Sequence, residues 1–349
     1  MRALQGGDGT PRWRQGSPRS YRKAQHRCAI YRRRRRHPFR YRYGGGPQGP
    51  ETTGIQGRKR VSSESVSQRR WKEVPLEKNS VAELSVIIKG AGEMASGIAH
   101  RLYRAGIQRI VMLDMPRPLC VRRFVSFCEA IHDGVAEVEG VTGQLVDDAS
   151  RVDAVWRAGR IAVVVDPEWK SIAVLFPDVV IDAIMAKRNL GTRRDEASFV
   201  VGVGPGFVAP RDVHVVVESN RGHDLGRVIY DGMAEPYTGL PGEMKGVGKE
   251  RVLRSPVAGR VRHVHRMGDE VKKGDLVLYV GEEPVYAPFD GVLRGLIREM
   301  DVEIAEKVGD VDPRAKKDYC YTISDKARGI GGGVLEAILH EYNRGPGQA

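Results

Sequence analysis

At 349 residues and 41% hydrophobic side chains, the chain is long enough to bury two ordinary cores, which excludes a wholly disordered or fibrous protein. The net charge of +13 does not by itself make a nucleic-acid-binding protein, because residues 1–80 hold 21 Lys/Arg and 5 Asp/Glu while the rest of the chain holds 36 and 39. No stretch approaches the ~20 apolar residues of a membrane span and no signal peptide with an apolar middle segment is visible, so a cytoplasmic protein with neither nucleic acid nor membrane as partner is expected.

In chain order, residues 1–80 come first, with the run Arg32 to Arg36, the turn-prone Gly44-Gly45-Gly46-Pro47, Ser62 to Ser67 and almost no apolar periodicity. A disordered basic tail is expected. A nucleic-acid or membrane arm and a transit peptide are alternatives, as is a start codon placed too far upstream, with synthesis beginning near Val74 or Val81; no Met lies between Met1 and Met94. From Val81 to about residue 250, short β-branched runs alternate with helical or turn segments: Ser85 to Lys89, Arg109 to Leu113, Ile161 to Val165, Val179 to Ile184, Phe199 to Val203 and Val213 to Glu218. Continuous apolar runs of this length predict strands covered on both faces, hence an α/β fold built on a Rossmann-like parallel sheet with helices, residues 81–250.

The first turn carries that expectation. Gly90-Ala91-Gly92-Glu93-Met94-Ala95 fits G-x-G-x-x-A after a strand, and Met94, Ile98, Leu102 and Ala105 follow at helical spacing. Gly90 is assigned the tight turn, Gly92 the close approach of an anion, and Ala95 with Gly97 close helix packing. Asp114, at the end of the next strand, is placed to bind a ribose hydroxyl, whereas Glu93 puts a negative charge where pyrophosphate would sit; glycines serving packing alone are the alternative. After the fourth strand, Asp182, Lys187, Arg188 and Thr192 are placed to meet an anion beyond the strand ends, against the alternative of a solvated face. Gly204 and Gly206 end the fifth strand at the same rim.

Further on, His223 beside Asp224 is a candidate general base, and His214, Glu218 and His223 a candidate metal set, though no metal site is assigned and a solvated loop is the simpler reading. His263 and His265 alternate on a strand where a surface role is expected. Cys28, Cys120, Cys128 and Cys320 contain no C-x-x-C pair, so neither a disulfide framework nor a structural zinc site is indicated.

Residues 251–312 contain an internal echo, Ser255-Pro256-Val257-Ala258-Gly259-Arg260-Val261 and Ala287-Pro288-Phe289-Asp290-Gly291-Val292-Leu293. Two such halves resemble the small all-β biotinyl/lipoyl (sandwiched hybrid) module. Its hairpin, Val280 to Val285, offers no acceptor lysine, so neither biotin nor lipoate is expected. Residues 313–349 are then read as a Gly-rich loop and a helix, Val334 to Leu339, returning to the main domain. Ser324, Asp325 and Lys326 with Gly331, Gly332 and Gly333 suggest a second anion cradle, or only a flexible turn; no Walker A frame is present.

The combination of Val86-Ile87-Ile88-Lys89-Gly90-Ala91-Gly92-Glu93-Met94-Ala95 through Leu102, Ala186 through Thr192, Val203-Gly204-Pro205-Gly206-Phe207, Arg221 through Ile229 and Thr322 through Ala337 resembles one small family. It is the accessory protein of the selenium-dependent molybdenum hydroxylase system, a distant relative of the xanthine dehydrogenase accessory proteins. The resemblance spans about residues 83–342. It implies a maturation factor for a molybdenum hydroxylase client enzyme that handles a molybdopterin-type cofactor or nucleotide, a small phosphate-bearing ligand, at the glycine-rich, Lys/Arg-bearing rim. It transfers no catalytic residue. Cys128 or Cys320 could relay sulfur, but the apolar setting of Cys128 favours a buried structural thiol. An NAD(P)-dependent oxidoreductase and a non-catalytic scaffold are the alternatives, and a homo-oligomer stays open.

Overall fold

The computed structural model describes residues 80–237, 239 and 246–343; the basic tail lies outside the described residues. Nine strands make one sheet: β1 (Ser85–Lys89), β2 (Arg109–Asp114), β3 (Val135–Val138), β4 (Val141–Val146), β5 (Ile161–Val165), β6 (Val179–Asp182), β7 (Phe199–Val203), β8 (Val215–Val217) and β9 (Val228–Ile229), in the order β3-β4-β5-β2-β1-β6-β7-β8-β9. Strands β4 to β8 and β1, β2 run parallel, whereas β3 pairs antiparallel with β4 and β9 antiparallel with β8.

The sheet is therefore mixed, and the wholly parallel Rossmann-like sheet with alternating helices is corrected. Two sequence features explain it. The Glu139-Gly140 turn has positive φ at both residues, the geometry of a tight hairpin, so β3 and β4 must be antiparallel neighbours. The segments joining β6 to β7 and β7 to β8 turn at Met185, Lys187, Gly191, Gly204 and Gly206, all at positive φ, so no α-helix forms in either crossover.

Helices α1 (Glu93–Arg104), α2 (Ala130–Asp133), α3 (Val152–Arg157) and α4 (Ser171–Leu175) are followed, after the small module, by α5 (Asp325–Tyr342). Side chains alternate along β1, so Val86 and Ile88 enter the core under α1 and α5 while Ile87 enters the opposite core with Val155, Val180 and Phe207. Helix α1 brings Ala95, Ile98, Ala99 and Leu102 inward at helical spacing. Helix α5 is capped by the Ser324 hydroxyl, which accepts from the Ala327 amide, and it contains Gly331, Gly332 and Gly333. These glycines therefore lie inside a helix and not in an anion-cradling turn. A Cβ on Gly97 would stand 2.6 Å from that of Ala327, and one on Gly333 would stand 2.0 Å from the Gly226 carbonyl oxygen. Small residues thus let α5 lie directly on α1 and on the loop before β9.

The small module has two four-stranded sheets, β10 (Val252–Arg254), β17 (Lys307–Asp312), β15 (Gly291–Leu296), β12 (Glu270–Val271) and β14 (Glu283–Tyr286), β13 (Leu276–Val280), β11 (Gly259–His263), β16 (Asp301–Val302), around a core of Val261, Leu278, Leu293 and Val311. The repeat aligns the starts of β11 and β15, where Gly259 and Gly291 each meet another backbone, Gly281 and Asp312. Residues 121–129 fasten the module to the large sheet. Leu296 donates its amide to the Val121 carbonyl at 2.7 Å, Arg123 donates to the Leu296 carbonyl at 2.8 Å, and the Arg298 guanidinium holds Glu129 at 2.7 Å. Arg122, 2% exposed, donates to the carbonyls of Arg294, Tyr319 and Thr322. Among the described residues no helix is long and apolar enough to cross a membrane.

Two glycines of α1 and α5 should respond to substitution in opposite directions. Gly97→Val has no room against Ala327 and is expected to destabilise by about 1–3 kcal/mol, the cost of overpacking. Gly332→Ala meets nothing within 4 Å and should stabilise by up to about 1 kcal/mol through helix propensity. Chemical denaturation measures both, and equal signs would mean that the helix contact is not the tight one described.

Candidate functional site

In the middle of the sheet β1 is flanked by β2 and β6, and the chain winds outward from it in both directions. Loops that leave the carboxyl ends of β1, β2 and β6 part there and leave a crevice, the place where open parallel arrangements hold ligands. A cleft of about 250 Å³ occupies it, lined by Gly90, Glu93, Asp114, Cys120, Cys128 and Met185 among others. At Gly90, φ +95°, a Cβ would stand 3.3 Å from the Ala183 carbonyl oxygen, while one on Gly92 would meet nothing within 4 Å.

Asp114 serves the turn directly. One carboxylate oxygen accepts from the Ala91 amide at 2.8 Å and the other from its neighbour Met115 at 2.8 Å. Burial raises its pKa above the ordinary 3.8 despite both hydrogen bonds. Glu93 opens α1 and stands 3.5 Å from the Arg122 guanidinium. Ala95 and Gly97 are buried packing positions of α1.

Lys187 follows the cleft-lining Met185 in the chain and feels the charge of Lys326, which in turn feels that of the cleft-lining Glu93. Burial of the amine first, then the charge of Lys326, lowers Lys187, although much of its side chain is exposed. Lys326 is lowered by burial and then by Arg221, against the opposing pull of Glu93, Glu218 and Asp325. The nearby carboxylates are engaged elsewhere: Asp325 pairs with Arg221 at 2.8 Å, and Glu218 accepts from the amides of Asn220 and Glu235 at 2.6 and 2.7 Å. Lys187 also lies 5.2 Å from the Tyr237 ring. Leu119, 50% exposed, lines the cleft, and Met115, next to Asp114 in the chain, is 47% exposed.

Other anticipated residues sit elsewhere. Asp182 and Thr192 lie on the opposite face of the sheet, where Lys89, expected only as the end of a strand, is fully buried. Its amine donates to the Thr192 hydroxyl at 2.7 Å, reaches Glu196 at 2.7 Å and lies 3.8 Å over the Trp169 ring, and Thr192 donates to Asp182 at 2.6 Å. Burial pulls Lys89 down, only partly offset by Glu196, and raises Asp182. The signal was present: a single lysine closing a wholly apolar strand can only be buried with partners. Arg188 is exposed, and its backbone is the wall that Gly206 approaches; a Cβ on Gly204 would collide with Ser219.

The candidate metal set does not assemble, and among the described residues no three His, Cys, Asp or Glu side chains group to hold an ion. His214 accepts the Val200 amide at 2.9 Å, Glu218 is held by the two amides above, and His223 is exposed in a turn where its neighbour Asp224 pairs with Arg227. His263 bonds the Ile297 carbonyl within the module.

No family model matches the chain. It is 45% identical over 261 residues to the Escherichia coli (strain K12) protein named uncharacterized protein YqeB, a match covering 74% of this chain and 48% of that protein, so the chain spans about half the length of the curated relative it matches. Among solved structures it is similar to TcdA (CsdL), with 19% identity, 76% of this chain and 90% of that one covered and a TM-score of 0.29. A succinylglutamate desuccinylase/aspartoacylase from Rhodobacter sphaeroides gives 15% identity, 24% and 29% coverage and a TM-score of 0.18. Likenesses at these scores carry no argument about the fold or the activity of this chain.

None of these proteins bears the name of a molybdenum hydroxylase accessory protein. That identification is corrected, together with the maturation function and the client hydroxylase it implied. The NAD(P)-dependent oxidoreductase fails as well, because the carboxylate meant for a ribose is spent on the Ala91 amide that a pyrophosphate would need. A plain scaffold gives no account of ionisable groups with displaced acidity gathered around one cleft.

His214 provides a pH test of this side of the sheet. Burial and the charge of Arg194 lower it from 6.5 to about 4. The unfolded chain therefore binds a proton that the folded one refuses, and the stability His214 contributes is complete above 6.5 and lost as pH falls toward 4. Denaturation midpoints should drop through that window, and His214→Gln should flatten that part of the slope; an unchanged slope would place the titration elsewhere.

Proposed function

We propose that the protein binds a small phosphate-bearing molecule, of mononucleotide size or smaller, in the cleft at the carboxyl ends of β1, β2 and β6. The observation that carries this is the placement of Lys187 just beyond the cleft-lining Met185 and of Lys326 in the field of the cleft-lining Glu93, two like charges each lowered by lost hydration, beside carboxylates already engaged by other groups. An anion seated between them satisfies both at once. The open space before Gly92 at the N-terminus of α1 gives its anionic group room, and the exposed, cleft-lining Leu119 suits an apolar or planar remainder. A cleft of about 250 Å³ lies below the ~300 Å³ at which enclosed drug-sized ligands begin, which favours a ligand smaller than a dinucleotide.

Calorimetric titration with inorganic phosphate and with adenosine monophosphate tests the reading. Lys187→Ala and Lys326→Ala should each weaken binding by about 1–3 kcal/mol, the scale of a lost charge-assisted hydrogen bond. Gly92→Asp, which puts a carboxylate in the open space, should abolish binding while the melting temperature holds. Binding that ignores both lysines would remove this site.

The small module is proposed to carry neither biotin nor lipoate. The turn between β13 and β14 is Gly281-Glu282, so its hairpin presents a carboxylate where those modules need an amine. The intact mass of protein purified from its own host should equal that of the unmodified chain, and an added biotinyl or lipoyl mass would reverse the conclusion.

A further inference from the structure

Two thiols line the same cleft. Cys120 belongs to the loop after β2 and Cys128 to the turn before α2, and both contribute to the wall with Glu93 and Asp114. Cys120 is 8% exposed and is the one with an outlet to the cleft; Cys128 is 0% exposed. The Cys128 amide donates to the Ala91 carbonyl at 2.9 Å, which fixes it to the turn of β1, and the Cys120 thiol donates to the Ser126 hydroxyl at 3.1 Å. Ser126 in turn donates to the Arg122 carbonyl at 2.9 Å, so the hydroxyl is held in place to receive the thiol. The Cys128 thiol first, then Ser126, lowers Cys120 against burial, whereas the Cys120 thiol and burial push Cys128 well up. The third buried thiol, Cys320, lies apart at the Leu293 carbonyl of the small module.

Two thiols on the wall of one cleft, with Cys120 held by Ser126 two residues before Cys128, are placed to react one after the other with a small molecule that enters it. We propose that Cys120 and Cys128 form a redox-active dithiol reached through the cleft, with Cys120 as the attacking thiol, Cys128 as the resolving thiol and a small hydroperoxide as the oxidant. The Cys120 thiol gives up its proton and its sulfur attacks the outer peroxide oxygen; the O–O bond breaks, the departing oxygen takes that proton and leaves as water from hydrogen peroxide or as the alcohol from an alkyl hydroperoxide, and Cys120 becomes a sulfenic acid. Cys128 sulfur then attacks the Cys120 sulfur, its S–H bond and the S–O bond break, and a water leaves as the disulfide forms. The pair loses two electrons and the peroxide gains them; a small dithiol reductant reverses the step. Oxidation draws the loop after β2 onto the β1 turn across the wall of the cleft, and it does so whichever ligand the cleft takes.

The test uses the full chain, exposed to hydrogen peroxide while folded, then denatured and alkylated. Of its four cysteines, Cys28 and Cys320 should take the label and Cys120 and Cys128 should not, the intact mass should fall by two hydrogens, and a linked Cys120–Cys128 peptide should appear. Prior reduction should restore both labels. Cys128→Ser should leave Cys120 as a sulfenic acid that dimedone traps, Cys120→Ser should leave Cys128 unoxidised, and Cys320→Ser should change nothing. Full labelling of all four cysteines, a disulfide through Cys28 or Cys320, or sulfonic acid as the first product in the wild type would overturn the proposal. If phosphate binding fails while the disulfide forms, only the ligand assignment is lost.

Discussion

The contact on which the rest depends is the one between α1 and α5. Two helices can lie this close only where side chains are nearly absent, and Gly97, Ala327 and Gly331 supply that absence. Because the backbones meet, the apolar face of α5, with Ile330, Val334 and Ile338, reaches the core above β1 and completes the cover of that side of the sheet. The same approach brings the first turn of α5 beside the start of α1, where the charge of Glu93 acts on Lys326. Lys326 is therefore placed by helix packing, not by the flexible turn that three successive glycines suggest.

A second constraint couples the small module to this arrangement. Asp310 and Asp312, 1% and 0% exposed, are enclosed by Arg251, Arg294, Lys307 and Arg314. Burial acts to raise Asp310, but the charges of Lys307, Arg294 and Arg251 outweigh it and hold the carboxyl below its ordinary value. The backbone of Arg294 then receives Arg122, whose guanidinium also faces Glu93 at the cleft. A continuous run of charge and hydrogen bonds thus connects the centre of the module to the first turn of α1. Removing one member would leave the others buried and unpaired, which makes the chain of contacts specific about how the two cores meet.

Much of the large sheet was legible because its central strands are continuous apolar runs, a pattern that position alone imposes on a strand covered on both faces. Strands β3, β4 and β9 were not. In β4 the apolar residues alternate with Thr142, Gly143 and Gln144, and Gly143 is there because the Phe127 ring presses against it from a distant segment. Strand β9 is two residues long and exists only through its pairing with β8. The site was partly legible for the same reason: Gly90, Asp114, Lys187 and Lys326 follow from strand ends and helix starts. Lys89 and Cys120 were passed over because their meaning lies in partners far along the chain, Thr192 for the one and the paired Cys128 for the other.

The order of these parts along the polypeptide has a consequence for how the molecule is made. Residues that build β1 to β9 emerge first, then the small module, and only afterwards the helix that roofs the face containing Ile88, Ile98 and Val201. A nascent chain with its large sheet assembled still presents that face to water, and the ribosome must deliver the whole module before α5 can cover it. During that interval the uncovered surface is what a holding chaperone would bind, and any arrest of translation between Val252 and Asp312 would leave a product with its sheet formed and one face of it uncovered.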